Sequence, residues 1–330
     1  MATMKVITSE EARAIHWLGS RATFFATSAE TASAFAIWMD EPPPGGGPVP
    51  HVHTREEEFF YVLEGNLTFW CAGQEFAATP GAFVGLPKGL GHQFRNDGEG
   101  PSRTLIFFVP GGCEGFFLEL SNPYSEPNDA TVPPDPKRID AASARFGQKV
   151  AAPSLLHPRP GLSSVDLPLG VGRSPILRGP GEGEVFATGG VLLTLKAVGH
   201  QTLGTYSLTE IELEVGAAFP AHRHARYAEG LYVLEGEISV QVDGPPMVAS
   251  AGSVVVIPQA AKHALTNTGG QAARLLSVTT PGGIEDFYRS ACRPVQVRPA
   301  RPSAEPSDAD RLAELGPEFG VEFESAGSLG

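Results

Sequence analysis

The pentapeptide Tyr-Val-Leu-Glu-Gly occurs twice, at residues 61–65 and 232–236, and the copies are 171 positions apart. The same spacing relates His51 to His222, His53 to His224, Glu58 to Glu229 and Gly81 to Gly252. It also relates Pro87 to Pro258, His92 to His263, Asn96 to Asn267, and the Pro-Gly-Gly at 110–112 to that at 281–283. Glu114 and Phe116 map in the same way onto Glu285 and Phe287, so the register holds without a gap for about 70 residues. Two ungapped copies must share one backbone, so the 330 residues divide into two domains of ordinary size. These are expected at 1–147 and 148–330.

Each copy reads as short strands. FFYVLEGNLTFWCAG and GLYVLEGEISVQVDG are rich in β-branched and aromatic residues and broken by glycine, as hairpins are. GAFVGLP and GSVVVIP are further apolar strands, each ended by proline. The chain has 39 Gly and 30 Pro without a collagen period, which favours many turns over long helices. Pro-rich stretches at 121–136 and 294–306 precede short helical candidates at 139–147 and 308–316, and 148–175 reads as the linker. The expected class is all-β, a sandwich or barrel in each half.

Six of the nine histidines fall in the repeat. Residues two apart on a strand share a face, so His51 and His53 project together, as do His222 and His224. Glu58 follows on the next strand with the parity of Phe60 and Val62, and His92 arrives from a later strand. Three imidazoles and a carboxylate then surround one point with room for water or substrate, an open metal site. The second set is His222, His224, Glu229 and His263. Donors of nitrogen and oxygen without sulfur suit Fe, Mn, Co, Ni or Cu as divalent ions, one per domain. Glu56 and Glu57 neighbour Glu58, but register with Glu229 selects Glu58 and leaves them solvated or behind the ligands.

Of 19 Phe, 14 lie at or before Phe146, and Phe60, Phe83 and Phe94 match Leu231, Val254 and Leu265. These three are read as inward-facing, and Phe60 and Phe94 as pocket residues for a flat aromatic ligand in the first domain. The net charge of −13 disfavours nucleic acid and anionic membranes as partners. Cys71, Cys113 and Cys292 form no CxxC pair, so no disulfide framework or thiolate zinc site is expected, and Cys71 reads as a buried hydrophobe. His16, His157 and His200 lack a repeated counterpart and read as surface or loop residues, and Arg55, Arg226 and Tyr227 as loop positions near the ligands. No apolar run reaches the length of a signal or a spanning helix, and a cytoplasmic protein is the expectation.

The His-x-His-x4-Glu box and the later Pro-x-Gly-x2-His box resemble the cupin superfamily, once in each half. Ala260 departs from that pattern where glycine is usual. The resemblance implies two tandem jelly-roll β-barrels, each followed by a short helical segment, with the metal in the barrel mouth. Among two-domain cupins, PGGCEGFFLELSNPY at 110–124 and PILRGPGEGEVF at 175–186 resemble segments of bacterial quercetin 2,3-dioxygenases. That resemblance implies cleavage of a flavonol by O2 with release of carbon monoxide. Its 3-hydroxyl would meet the metal of His51, His53, Glu58 and His92, with Glu58 as general base and Glu229 as its counterpart. Alternatives are another oxygenase acting on a phenolic, 1,3-dicarbonyl or polyketide-like substrate, an oxalate decarboxylase, and a non-enzymatic metal- or small-molecule-binding protein. A homodimer is compatible with all of them.

Overall fold

A computed structural model describes residues 4–17, 19–123, 135–151, 172–241, 245–299, 302 and 309–324. The chain forms two compact units, Ala12–Pro180 and Met1–Glu11 with Gly181–Gly330. The first pairs eight strands antiparallel in the order Asn122–Pro123, Arg13–Trp17, Ser20–Ala26, Ala36–Glu41, Arg103–Val109, Glu57–Glu64, Phe83–Leu86 and Ile176–Arg178. A five-stranded sheet runs Gln148–Val150, His51–His53, His92–Asn96, Leu67–Cys71 and Gln74–Ala78. The second unit repeats both orders strand for strand. Its large sheet runs Arg293–Pro294, Glu184–Thr188, Val191–Ala197, Ser207–Leu213, Ala273–Thr280, Ala228–Glu235, Val254–Ile257 and Lys5–Ile7. Its small sheet runs Val321–Phe323, Ala218–His224, Lys262–Thr266, Glu237–Gln241 and Met247–Ser250.

These units differ from the division at 147/148, for a specific reason. Gln148–Val150 pairs with His51–His53, and Ile176–Arg178 pairs with Phe83–Leu86, so both belong to the first unit. Lys5–Ile7 instead pairs with Val254–Val256 at the edge of the second. The repeat spacing carries Lys5–Ile7 onto Ile176–Arg178, so each half donates its opening strand away from its own sequence block.

Alternation along the strands places the core between the two sheets of each unit. In the first, Phe24, Trp38, Phe60 and Ile106 from the large sheet meet Leu67, Phe69 and Phe94 from the small one. In the second, Leu193, Ile211, Leu231 and Leu275 meet Phe219, Ile238, Val240 and Leu265. Asn96, fully buried, clamps a turn: its amide donates to the carbonyls of Pro42 and Gly100, and its oxygen accepts from the Gly98 amide. Asn267 does the same with Leu213, Gln271 and Gly269. The repeated asparagine therefore holds the fold rather than a ligand.

The helical candidates are present with shifted bounds. One is Pro136–Phe146, capped by the Asp135 side chain and stopped by Gly147 at φ +74°. The other is Ala309–Leu315. Two further helices, Glu114–Leu120 and Ile284–Ala291, follow the Pro-Gly-Gly turns and were not anticipated. A buried carboxylate stands in the first turn of each, Glu114 at the first position of one and Glu285 at the second of the other. Glu114 accepts from the amides of Ser28 and Gly112, and Glu285 from those of Gly199 and Gly283 and from the Ser207 hydroxyl. Most of the 121–136 and 148–175 stretches lies outside the described residues, as does most of 294–306 beyond 299.

Candidate metal centres

In the first unit His51 and His53 lie two apart on one strand, and His92 sits directly across the ladder from His51. Glu58 reaches them from the other sheet. Its Oε2 lies 2.8 Å from His92 Nε2, 3.2 Å from His53 Nε2 and 3.9 Å from His51 Nε2. The outward ring nitrogens are occupied. His51 Nδ1 donates to the Val49 carbonyl and His92 Nδ1 to that of Leu90, both at 2.9 Å. His53 Nδ1 lies 3.3 Å from Cys113 Sγ, which accepts from Gln148 Nε2 at 2.9 Å. Each imidazole is thereby oriented with Nε2 toward the common point, as metal ligands require.

The second unit holds the same groups more loosely. His222, His224 and His263 cluster, with His222 Nε2 3.1 Å from His224 Nε2. Glu229 Oε2 is 3.4 Å from His263 Nε2 and 3.6 Å from His224 Nδ1. Its other oxygen accepts from Ser277 Oγ at 2.6 Å. The position equivalent to Ser277 in the first unit is Ile106, so Glu58 has no such hydroxyl beside it.

Burial opposes charge on His51, His53, His222 and His224, and on Glu58 and Glu229. It lowers His51 to about 3 and His224 to about 4, and drives His222 well below the ordinary imidazole range. The carboxylates go the other way. Burial would raise Glu58, but charge and hydrogen bonding from His53 and His92 overcome it and hold the group well below the usual range. The same balance, with His224, His263 and Ser277, sets Glu229 at about 2. Neutral imidazoles with an ionised carboxylate are the protonation states that metal binding needs.

Buried polar atoms normally find partners. His53 Nε2, His92 Nε2 and Glu58 Oε2 have no partner beyond one another, and neither do His224 Nδ1, His263 Nε2 and Glu229 Oε2. In each unit these orphaned donor atoms converge, and a divalent ion among them satisfies all at once. The residues fit the metal the donor set implies. A cluster of His53, Glu56 and Cys113 also lies within ligand range, but it draws on the far side of His53.

A cavity of about 580 Å³ opens on His51 and Glu58. Phe94 lines it, together with Trp17, Trp38 and Phe117. Phe60 does not. It is fully buried in the core, edge-on to Phe69 and Phe94, which corrects its reading as a pocket residue. Phe83 is corrected too: Val84 and Leu86 face the core, while Phe83 turns to the opposite face of the sheet near Phe59. Both faces of that strand are buried, so aromatic residues on it carry no sign of direction. Trp17, Trp38 and Phe117 were missed. Alternation in AIWMDE could have pointed to Trp38, whereas Phe117 lies on an unanticipated helix. The second cavity, about 350 Å³, is also aromatic, with Phe219, Phe287, Tyr288 and Phe323 around His222, His224 and Glu229.

Glu56 and Glu57 are buried, not solvated. Glu57 pairs with Arg173 at 2.6 Å and accepts from the Lys88 amide, whereas burial raises Glu56 to about 7. His16 is buried on the strand Arg13–Trp17 rather than on a surface loop, His200 is exposed, and His157 lies outside the described residues. The three cysteines are buried and unbridged. Arg55 donates to the Arg145 carbonyl and Tyr227 to that of Phe319, tying the ligand loops to the segments that follow each barrel. Among the described residues no helix is long and apolar enough to cross a membrane.

The family described as "Cupin domain" matches residues 38–108 and 209–279, the two blocks that carry the ligand sets. A curated relative, quercetin 2,3-dioxygenase of Bacillus subtilis (strain 168), is 24% identical over 293 residues, covering 86% of this chain and 85% of that protein. Similar solved structures include oxalate decarboxylase from Bacillus subtilis, with a TM-score of 0.59 at 18% identity over 86% of this chain and 77% of that one. The Lactobacillus farciminis oxalate decarboxylase gives a TM-score of 0.59 at 18% identity over 84% and 86%. At these identities the structural likeness speaks for the fold alone.

Proposed function

The chain is a bicupin, built of two cupin domains, and from that premise we propose that it is a metal-dependent dioxygenase that opens a flavonol such as quercetin with loss of carbon monoxide. The observation that carries this reading is the first cavity. It joins an open three-histidine, one-carboxylate site to an enclosure walled by Trp17, Trp38, Phe94 and Phe117, the kind of apolar lining that takes a flat aromatic ligand. The relative that catalyses quercetin 2,3-dioxygenation spans most of the chain.

His51, His53, Glu58 and His92 would hold the ion, and His222, His224, Glu229 and His263 a second. A bound transition ion supplies acidity to a coordinated hydroxyl and a path for electrons to O2. The side chains do the rest. Trp17, Trp38, Phe94 and Phe117 take the flat rings and exclude water. Glu58, ionised at neutral pH and free of a Ser277-like clamp, takes the proton of the substrate's 3-hydroxyl. The first domain is accordingly the catalytic one, since the second cavity is smaller and Glu229 is tied down. Oxalate decarboxylation fits less well, because no Arg or Lys is among the described residues lining the first cavity to meet a dianion.

The test is oxygen uptake with quercetin by protein reconstituted separately with Fe, Mn, Co, Ni and Cu, with carbon monoxide measured in the headspace. Metal-dependent uptake with one CO per flavonol is expected, and its loss in both His51→Ala and His92→Ala. No uptake with any ion refutes flavonol cleavage. Activity surviving both substitutions moves the chemistry to the second domain.

A further inference from the structure

The first cavity is apolar except for His51, Glu58 and one pair the metal chemistry does not use. Asp40 and Ser20 face into it from neighbouring strands, and Ser20 Oγ donates to Asp40 Oδ1. On the same face of its strand Asp40 follows Ala36 and Trp38. Ala36 is two strands from Glu58, each paired with Phe108. Four residues further along, Asp40 is displaced from that row by on the order of 10 Å of extended backbone. One cavity thus has the metal ligands at one end and a carboxyl at the other, with tryptophan between.

The repeat supplies a control. Its spacing carries Ser20 onto Val191 and Asp40 onto Ile211. Ile211 lines the second cavity. The pair is therefore confined to the larger cavity, and the shared fold does not require it. A carboxyl in an aromatic enclosure is costly unless something repays its desolvation. Burial, against hydrogen bonds from Ser20 and the Glu41 backbone, pushes Asp40 up to about 7, with Glu41 and Glu58 adding repulsion. At neutral pH the group can then both donate and accept.

We infer that Asp40, oriented by Ser20, is a specificity residue that hydrogen-bonds a ring hydroxyl of the aromatic substrate remote from its metal-binding end. The substrate class narrows to polyhydroxylated aromatics, in which one oxygen group meets the metal and a second, across the ring system, meets Asp40. This rests on the proposed oxygenase reading for the identity of the ring system. A buried hydrogen bond to a carboxyl discriminates by roughly tenfold to a hundredfold against a ligand that lacks the hydroxyl.

The experiment compares quercetin with 3-hydroxyflavone, which keeps the metal-binding group and lacks the other ring hydroxyls. Binding to the metal-reconstituted full chain is read without oxygen by quenching of tryptophan fluorescence. All three tryptophans, Trp17, Trp38 and Trp70, belong to the first unit, so the signal reports that cavity. Wild type should prefer quercetin at least about tenfold. Asp40→Leu, and Ser20→Val with Asp40→Ile, should bring the two affinities within about twofold by weakening quercetin alone, and Asp40→Asn should keep most of the preference. A preference that survives Asp40→Leu, or equal losses for both ligands in Leu and Asn variants of unchanged melting temperature, overturns the inference. Preference without oxygen uptake overturns only the cleavage reading, and turnover without preference overturns only this one. Failure of both ligands to bind overturns both.

Discussion

Ser277 is the point at which the two candidate metal sites part company, and Ser277→Ala measures what the difference is worth. Its hydroxyl donates to the buried, ionised Glu229 at 2.6 Å. A hydrogen bond to a charged buried acceptor contributes about 1.5–3 kcal/mol, and the substitution leaves that carboxylate oxygen without a donor. Taking about 2 kcal/mol, a unit of this size should melt about 4–8 °C lower. The assay is differential scanning calorimetry of the metal-free protein at pH 7.5, with tryptophan fluorescence recorded over the same range. Because the tryptophans all lie in Ala12–Pro180, their transition should stay where it is while the calorimetric transition of the other unit falls. A calorimetric shift under about 1 °C would mean that Glu229 finds its stabilisation elsewhere, and the argument for an immobilised second carboxylate would collapse.

Three other outcomes follow from geometry described above. Ile106→Ser gives Glu58 the hydroxyl that Glu229 already has. Turnover should fall about tenfold with metal content by mass spectrometry unchanged, and an unaltered rate would refute the proposal that Glu58 is the base. Ala260 stands at φ +63° where its counterpart Gly89 is at +85°, and both amides donate to the carbonyl of the preceding ligand histidine, His224 or His53. A left-handed alanine costs about 1–2 kcal/mol, partly offset by the greater unfolded freedom of glycine, so Ala260→Gly should stabilise by about 0.5–1 kcal/mol. Gly89→Ala should destabilise by about as much, and opposite signs in urea unfolding would contradict the strain. Finally, His51 and His224 are held neutral to about 3 and 4, while in the unfolded chain they protonate near 6.5. The unfolded state therefore binds more protons below 6.5, and the metal-free protein should lose stability as pH falls from 6.5 toward 4, by up to about 1.4 kcal/mol per group per pH unit. Equal urea midpoints at pH 7 and pH 5 would rule this out.

That His51, His53, Glu58 and His92 come together, and His222, His224 and His263 likewise, was legible in the sequence because metal chemistry leaves few choices. Only His and Glu appear at the matched positions, strand parity puts His51 and His53 on one face, and the duplicate selects Glu58 from three adjacent glutamates. The all-β class followed from the same register. The cavity was not legible, since it is built by residues outside the motif. Trp17 and Trp38 lie on strands before the first box, and Phe117 on a seven-residue helix that composition gives no cause to expect. Phe60 and Phe83 misled because the sheet they belong to is buried on both faces, so alternation between apolar and polar residues vanishes there. The unit boundaries escaped for another reason: three-residue edge strands such as Lys5–Ile7 carry too little pattern to announce which sheet they join.

The exchanged edge strands set an order of events during synthesis. Lys5–Ile7 is synthesised about 250 residues before the strand it joins, Val254–Ile257. At ordinary translation rates that delay is on the order of tens of seconds. Early in that interval the edge of Phe83–Leu86 stands open, until Ile176–Arg178 is made. Lys5–Ile7, the repeat twin of that missing strand, is the segment at hand to cover it.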